Sequence, residues 1–191
     1  MLPLLARTAR VLLLAAWALL PALASPPPRQ VRVAAAADLK WALEEARVVF
    51  EQAHPGTLCT LTFGSSGTFY GQLTQKAPFD LFLSADLDYP RRLAEQGLGL
   101  KETLFTYAVG HLVVWVPKAS PIPVESLGIR AVRHPGARRI ALANPGVAPY
   151  GRAAEAALRS TGLLEDVKAR LVLGENVAQA AQFVQTGNAD L

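Results

Sequence analysis

The order of elements along this chain constrains its fold more than any other feature. Short apolar strands recur, each followed by a turn of small residues and then a helix. The clearest case is Phe63-Gly64-Ser65-Ser66-Gly67-Thr68. Gly64 and Gly67 let the backbone turn tightly and approach a ligand closely. Ser65 and Ser66 add hydroxyls where the first free amides of the helix point outward. Unpaired N–H groups and the positive end of the helix dipole converge at such a start, which makes it a ready anion site. The same residues also suit a plain serine N-cap on a strand-to-helix turn.

Similar units follow one another. Residues 31–37 read as a short buried strand, and Asp38 opens a helix whose apolar face runs Leu39, Ala42, Leu43, Ala46, Val49, Phe50. His54-Pro55-Gly56 ends it. Residues 57–63 form a strand with Cys59, Leu61 and Phe63 on one face, so Cys59 is expected to be a buried thiol. A helix over 68–75, a strand over 79–84 and a helix over 91–96, capped by Asp86 or Asp88, come next. The pattern then changes. Residues 108–116 read as a longer strand, and a loop with three prolines spans 117–123. A second series begins at 139–143 and continues with an elbow at 144–150, a helix over 152–160, a strand near 170–173, an elbow at 174–176 and a helix over 177–185. Strands alternating with helices predict an α/β fold of mostly parallel sheets covered by helices. The break near 105–120 predicts two lobes joined by a crossing strand. The turn at 186–190 looks set to feed a strand that begins at Leu191, so the chain reads as C-terminally truncated, with an incomplete second lobe.

The first 24 residues have a separate logic. Arg7 and Arg10 precede an apolar run over 11–20, then Pro21 and Ala22-Leu23-Ala24, which together read as a secretory signal peptide. The apolar run is too short for a comfortable membrane span. Neither a twin-arginine pair nor a cysteine near the cleavage point is present, so the mature chain is expected outside the cytoplasm without a lipid anchor. Of 191 residues, about 165 then remain, enough for one large or two small domains. Cys59 is the single cysteine, which excludes an intrachain disulfide. Without Arg7 and Arg10, 17 basic residues face 15 acidic ones, a balance of +2. That charge, with no basic stripe interleaved with aromatics, gives no support for nucleic-acid binding.

Four helix starts share one logic. Asp38 follows Ala35-Ala36-Ala37, Ser66 follows Gly64, Tyr150 lies in Pro149-Tyr150-Gly151, and Val177 follows Gly174-Glu175-Asn176. Each lies at the C-terminal end of a strand, where open α/β sheets bind ligands. Two belong to each lobe, so a cleft between lobes could gather amides and hydroxyls around one oxyanion; four ordinary capped helices would show the same pattern. Catalytic motifs are missing. Thr68 stands where G-x-S-x-G needs its second glycine. His54, His111 and His134 have no evident partner, and H-E-x-x-H, C-x-x-C and the Walker G-K-[ST] are all absent. Asp80 and Asp86 read as a strand residue and a cap. The expectation is a binding protein, not an enzyme, with no cofactor and no cation held by protein ligands.

Five segments, taken in order, resemble one family. AAAADL at 34–39, FGSSGT at 63–68, DLFLSAD at 80–86, PYG at 149–151 and GENV at 174–177 are similar to the periplasmic molybdate-binding proteins of ABC transporters, over the whole mature chain. The resemblance implies the two-lobed type II periplasmic-binding fold, with residues 25–106 as lobe 1 and 107–191 as lobe 2. It implies a monomer in the periplasm that closes on molybdate or tungstate and delivers it to a membrane permease. Molybdenum would enter only within the bound oxyanion. Carried over, the family's contacts fall on Ala37 and Asp38, on Ser66 with Ser65 adjacent, on Tyr150, and on the amide of Val177. Many relatives use a serine or threonine hydroxyl at the first of these places, where this chain has Ala37 and Asp38. A carboxylate about 4 Å from a dianion, at an effective dielectric near 20, would be repelled by about 8 kcal/mol. Asp38 is therefore expected to turn back and cap its own helix. A second option is that it accepts a proton from a protonated, phosphate-like oxyanion. Other tetrahedral oxyanions, phosphate or sulfate, are the alternative ligands, and a secreted α/β hydrolase stands behind them.

Overall fold

Three parallel strands come from the first half of the chain and two from the second, because every strand-to-strand connection is a helical crossover. The computed structural model describes residues 27–191. The signal peptide read over residues 1–24 lies outside the described residues.

The first sheet has β1 (Arg29–Ala36) at its centre, between β2 (Thr57–Gly64) and β3 (Leu81–Leu83). Register pairs Val33 with Leu61 and Leu81, and brings Ala36 opposite Gly64. A central parallel strand is covered on both faces, so its residues need not alternate. Val33, Ala34, Ala35 and Ala36 are accordingly all buried. The edge strand β3 is tied to β1 by Asp80, just before β3. Its carboxylate accepts from the Arg32 amide at 2.8 Å and from the Arg32 guanidinium at 3.0 and 3.1 Å. Those bonds hold the Asp80 carboxyl down at about 2.

The helices after these strands are α1 (Lys40–Ala53), α2 (Ser66–Thr74) and α3 (Asp88–Glu95). Phe69 of α2 is buried and meets Phe79 and Phe82 edge-on, at 5.6 and 6.4 Å between centroids. Helix α1 forms as its periodicity predicts, but its expected apolar face is largely uncovered. Val49 and Phe50 are exposed, and no residue of α1 is fully buried. Cys59 is half-buried, not buried as expected, and desolvation raises its thiol above the ordinary value.

Residues 104–116 depart most from expectation. The strand predicted over 108–116 pairs with no other strand among the described residues. A strand exists only as a member of a ladder, and without one the apolar side chains of Val109 and Val113 stand in solvent.

The second half opens with two short helical turns, α4 (Val124–Leu127) and a 3-10 stretch (Gly128–Arg133), neither of which the sequence announced. Its sheet pairs β4 (Ile140–Ala143) with β5 (Leu171–Gly174). Helices α5 (Pro149–Ser160), α6 (Leu164–Val167) and α7 (Val177–Gln185) complete it. Buried Ile140, Leu163 and Val167 form the centre of its core. Asp190 and Leu191 run beside β4: the Asp190 amide donates to the Arg139 carbonyl and the Ala141 amide to the Leu191 carbonyl, each at 2.8 Å. An apolar groove of about 660 Å³ lies over this sheet, walled by Leu112, Trp115, Ile140, Leu158, Val184 and Leu191.

Candidate functional site

The two sheets face each other with the C-terminal ends of their strands, and the elbows beyond those ends meet. Ala36 and Gly64 are partners across β1 and β2, so Ala37 and the Ser65-Ser66 elbow leave the sheet side by side. Tyr150 is the second residue of α5 and Val177 the first of α7. Helix α7 packs against the 3-10 turn Ala37–Leu39 from the other lobe. Of the five residues picked out from the sequence, Asp38 and Tyr150 are joined across the lobes by a hydrogen bond, and Ala37 and Asp38 share the turn against which α7 packs. Ser66 is buried at the start of α2, and Val177 opens α7 and borders the apolar groove over the second sheet.

At the FGSSGT elbow, capping and donor roles fall on different serines. Ser65 is the N-cap of α2, its Oγ accepting from the Thr68 amide at 3.3 Å and lying 2.9 Å from Thr68 Oγ1. Ser66 is almost wholly buried, at 1% exposure. Its Oγ accepts from the Ala85 amide at 2.9 Å, while its single hydroxyl proton remains available for donation. On the other lobe, Asn176 caps α7 through its Oδ1, which accepts from the Gln179 amide at 3.0 Å. The amide of Val177, first in that helix, has no intrahelical acceptor.

Asp38 does not cap its helix. It lies in the middle of the 3-10 turn Ala37–Leu39, whose N-cap position belongs to Ala36, and no side chain caps that turn. The carboxylate instead faces the other lobe, and its Oδ2 accepts from the Tyr150 hydroxyl at 2.9 Å. Burial pushes the Tyr150 phenol up to about 12, with further help from the Asp38 hydrogen bond and from the charges of Asp38 and Tyr107. Tyr107 is likewise raised to about 12, by burial first and then by the Asp38 charge, and its hydroxyl donates to the Ser84 carbonyl at 2.6 Å. Both phenols are therefore neutral donors at any physiological pH. Gly110 makes room for this arrangement, since a Cβ there would stand 2.7 Å from the Tyr150 oxygen.

The structure adds contacts between lobes that the sequence reading missed. The Gly67 amide, second in α2 and lacking an intrahelical acceptor, donates across the gap to the Val147 carbonyl at 2.8 Å. Arg152 of α5 donates to Asp86 Oδ2 at 2.6 Å and to the Tyr89 hydroxyl at 2.9 Å. Asp86 is neither half of a pair of acids nor a free surface group. Its other oxygen accepts from Ser84 Oγ at 3.1 Å and from the Tyr89 amide at 3.3 Å. One signal for Arg152 was present: a cation in the first turn of a helix opposes the helix dipole, which implies an acidic partner elsewhere. Beside these contacts an open cavity of about 390 Å³ is bordered by Ala85, Asp86, Gly110, Tyr150 and Arg152. Among the described residues, no group of three or more His, Cys, Asp or Glu side chains is placed to hold a metal ion.

Chemically, the region between the lobes offers neutral O–H and N–H donors together with the carboxylates of Asp38 and Asp86 and the guanidinium of Arg152. Comparison with known proteins gives a consistent picture. Residues 31–191 match the family model described as bacterial extracellular solute-binding protein. The chain is 40% identical over 160 residues to the molybdate-binding protein ModA of Rhodobacter capsulatus, covering 84% of this chain and 62% of that protein. It is 40% identical over 162 residues to ModA of Azotobacter vinelandii, covering 85% and 63%. The chain thus spans less than two thirds of the length of these relatives. Among solved structures, the periplasmic molybdate-binding protein of Azotobacter vinelandii is similar with a TM-score of 0.77 at 36% identity, over 84% of this chain and 68% of that one. The two-lobed type II periplasmic-binding architecture is therefore the fold of this chain.

Proposed function

This chain belongs to the bacterial extracellular solute-binding proteins, and on that premise we propose that it captures a tetrahedral oxyanion, molybdate or tungstate, between its lobes. Residues 25–106 and 107–191 are the two lobes, and the ligand is held by Ala37, Asp38, Ser66, Tyr150 and the Val177 amide. The captured anion is handed to an ABC permease, with no catalytic step. The mature protein acts in the periplasm after loss of residues 1–24.

The observation that carries this reading is the hydrogen bond of 2.9 Å from Tyr150 to Asp38, in which a donor of one lobe reaches the strand ends of the other. The proposed donors, Ser66, Tyr150 and the Val177 amide, are uncharged, and the nearby Arg152 cation is paired with Asp86. Neutral N–H and O–H groups compensate a dehydrated dianion without an ion pair that would slow its release. Titration calorimetry of the full chain against molybdate, tungstate, sulfate and phosphate tests the proposal. Molybdate and tungstate are expected to bind at least a hundredfold more tightly than sulfate, and a preference for sulfate or phosphate would overturn it. One observation favours a second reading: the Asp38 carboxylate, an acceptor at the centre of the cleft, suits a protonated oxyanion of the phosphate type. Tight phosphate binding in the same titration would select it.

A further inference from the structure

We propose that Arg152 is a positioning residue that clamps the lobes together without touching the anion, a role that presupposes the oxyanion capture proposed above. Tyr150 and Arg152 stand two positions apart on α5, so their side chains leave the helix in different directions. Tyr150 faces Asp38 and Gly110, whereas Arg152 faces Asp86 and Tyr89. The guanidinium joins two groups of the first lobe at once, at 2.6 and 2.9 Å, and its centre lies 5.0 Å from the middle of the Tyr89 ring. These partners are preset. Asp86 is fixed through its second oxygen by Ser84 and the Tyr89 amide, and Tyr89 is buried.

Closing this clamp draws the start of α5 onto the first lobe and carries Tyr150 to the strand ends. The pair is also dissociable, with 40% of the Arg152 side chain and 20% of the Asp86 side chain in contact with solvent. It therefore biases an open–closed equilibrium instead of locking it. A ligand that needs the closed form binds with an apparent affinity scaled by the closed fraction. Arg152 thus raises affinity by populating that form before the anion arrives.

One backbone group reports closure directly. The Gly67 amide has no acceptor within its own helix, and its protection comes from the Val147 carbonyl of the other lobe. The Thr68 amide next to it is bonded to Ser65 Oγ inside the first lobe and serves as the internal control. Residue-resolved amide exchange is measured on the full chain without ligand, for the native protein, Arg152→Gln and Tyr89→Phe, followed by molybdate titration of each. In Arg152→Gln, Gly67 exchange is expected to rise by about fivefold or more, with Thr68 unchanged, and molybdate affinity to fall in proportion to the closed fraction. Tyr89→Phe, which removes one of the two bonds and leaves the core filled, is expected to give a smaller change in the same direction. Unchanged Gly67 exchange in Arg152→Gln overturns the clamp, whatever happens to molybdate. Faster Gly67 exchange in a protein whose native form binds no oxyanion sustains the clamp and overturns the capture reading instead.

Discussion

At the level of single residues, Asp38 is the group with the most leverage. It presents a carboxylate where the proposed ligand is a dianion, and the Tyr150 hydroxyl points its only proton at it in a hydrogen bond. Replacing it with asparagine keeps an acceptor for Tyr150 and removes the charge. Asp38→Asn is therefore expected to bind molybdate at least tenfold more tightly, about 1.4 kcal/mol, by calorimetry. Weaker or equal binding would show that the carboxylate turns away from the anion. The two phenols give a second prediction. In the unfolded chain they ionise near 10, whereas in the folded protein both are held to about 12. Between those values the unfolded state has lost protons that the native state retains, so stability is level below pH 10 and falls from pH 10 to 12. Urea unfolding at a series of pH values should show that decline, and Tyr107→Phe with Tyr150→Phe should flatten it. An undiminished slope in the double variant would place its origin elsewhere.

At the level of elements, the joint between α2 and the approach to α5 leaves no room for a side chain at Gly67. A Cβ on Gly67 would stand 2.5 Å from the Val147 carbonyl oxygen and 2.6 Å from the Tyr89 hydroxyl. Within its own helix, alanine is the better residue at this position by up to about 1 kcal/mol. Gly67→Ala should therefore leave the thermal midpoint within a few degrees of native and weaken molybdate binding more than tenfold, because the methyl group wedges the lobes apart. Native affinity in that variant would show that closure does not depend on this approach. The strands and helices were largely legible in the sequence. The helix over 177–185 was predicted to the residue, and the FGSSGT elbow was placed correctly between β2 and α2. These features depend on neighbours in sequence: periodicity, small-residue turns and caps. The strand expected over 108–116 failed because a ladder partner is a property of other segments, which local pattern does not contain. The cap expected of Asp38 failed for a related reason. Its competitor was a tyrosine 112 positions away, and no local rule weighs that. Likewise the elbows could be read one at a time, whereas the Arg152–Asp86 pair spans 66 positions and left only an ill-suited charge as a trace.

At the level of the molecule, function depends on two halves that meet through few contacts. An amide-to-carbonyl bond, a phenol-to-carboxylate bond, the Tyr107 phenol-to-carbonyl bond, one cation shared by two acceptors and the packing of α7 on the Ala37–Leu39 turn join the lobes, while each half keeps its own sheet. Such a joint is strong enough to favour one arrangement and weak enough to yield, which is what the proposed capture and release would both require. The sheet order has a further consequence, in time. Strands β1, β2 and β3 all lie between residues 29 and 83, and β4 and β5 between 140 and 174. No described sheet draws on both groups, so the first three strands can pair while the later ones are still being synthesised. The cleft, which needs residues from both, then appears later than the first sheet. A nascent chain therefore passes through a stage in which it holds only half of the proposed anion site.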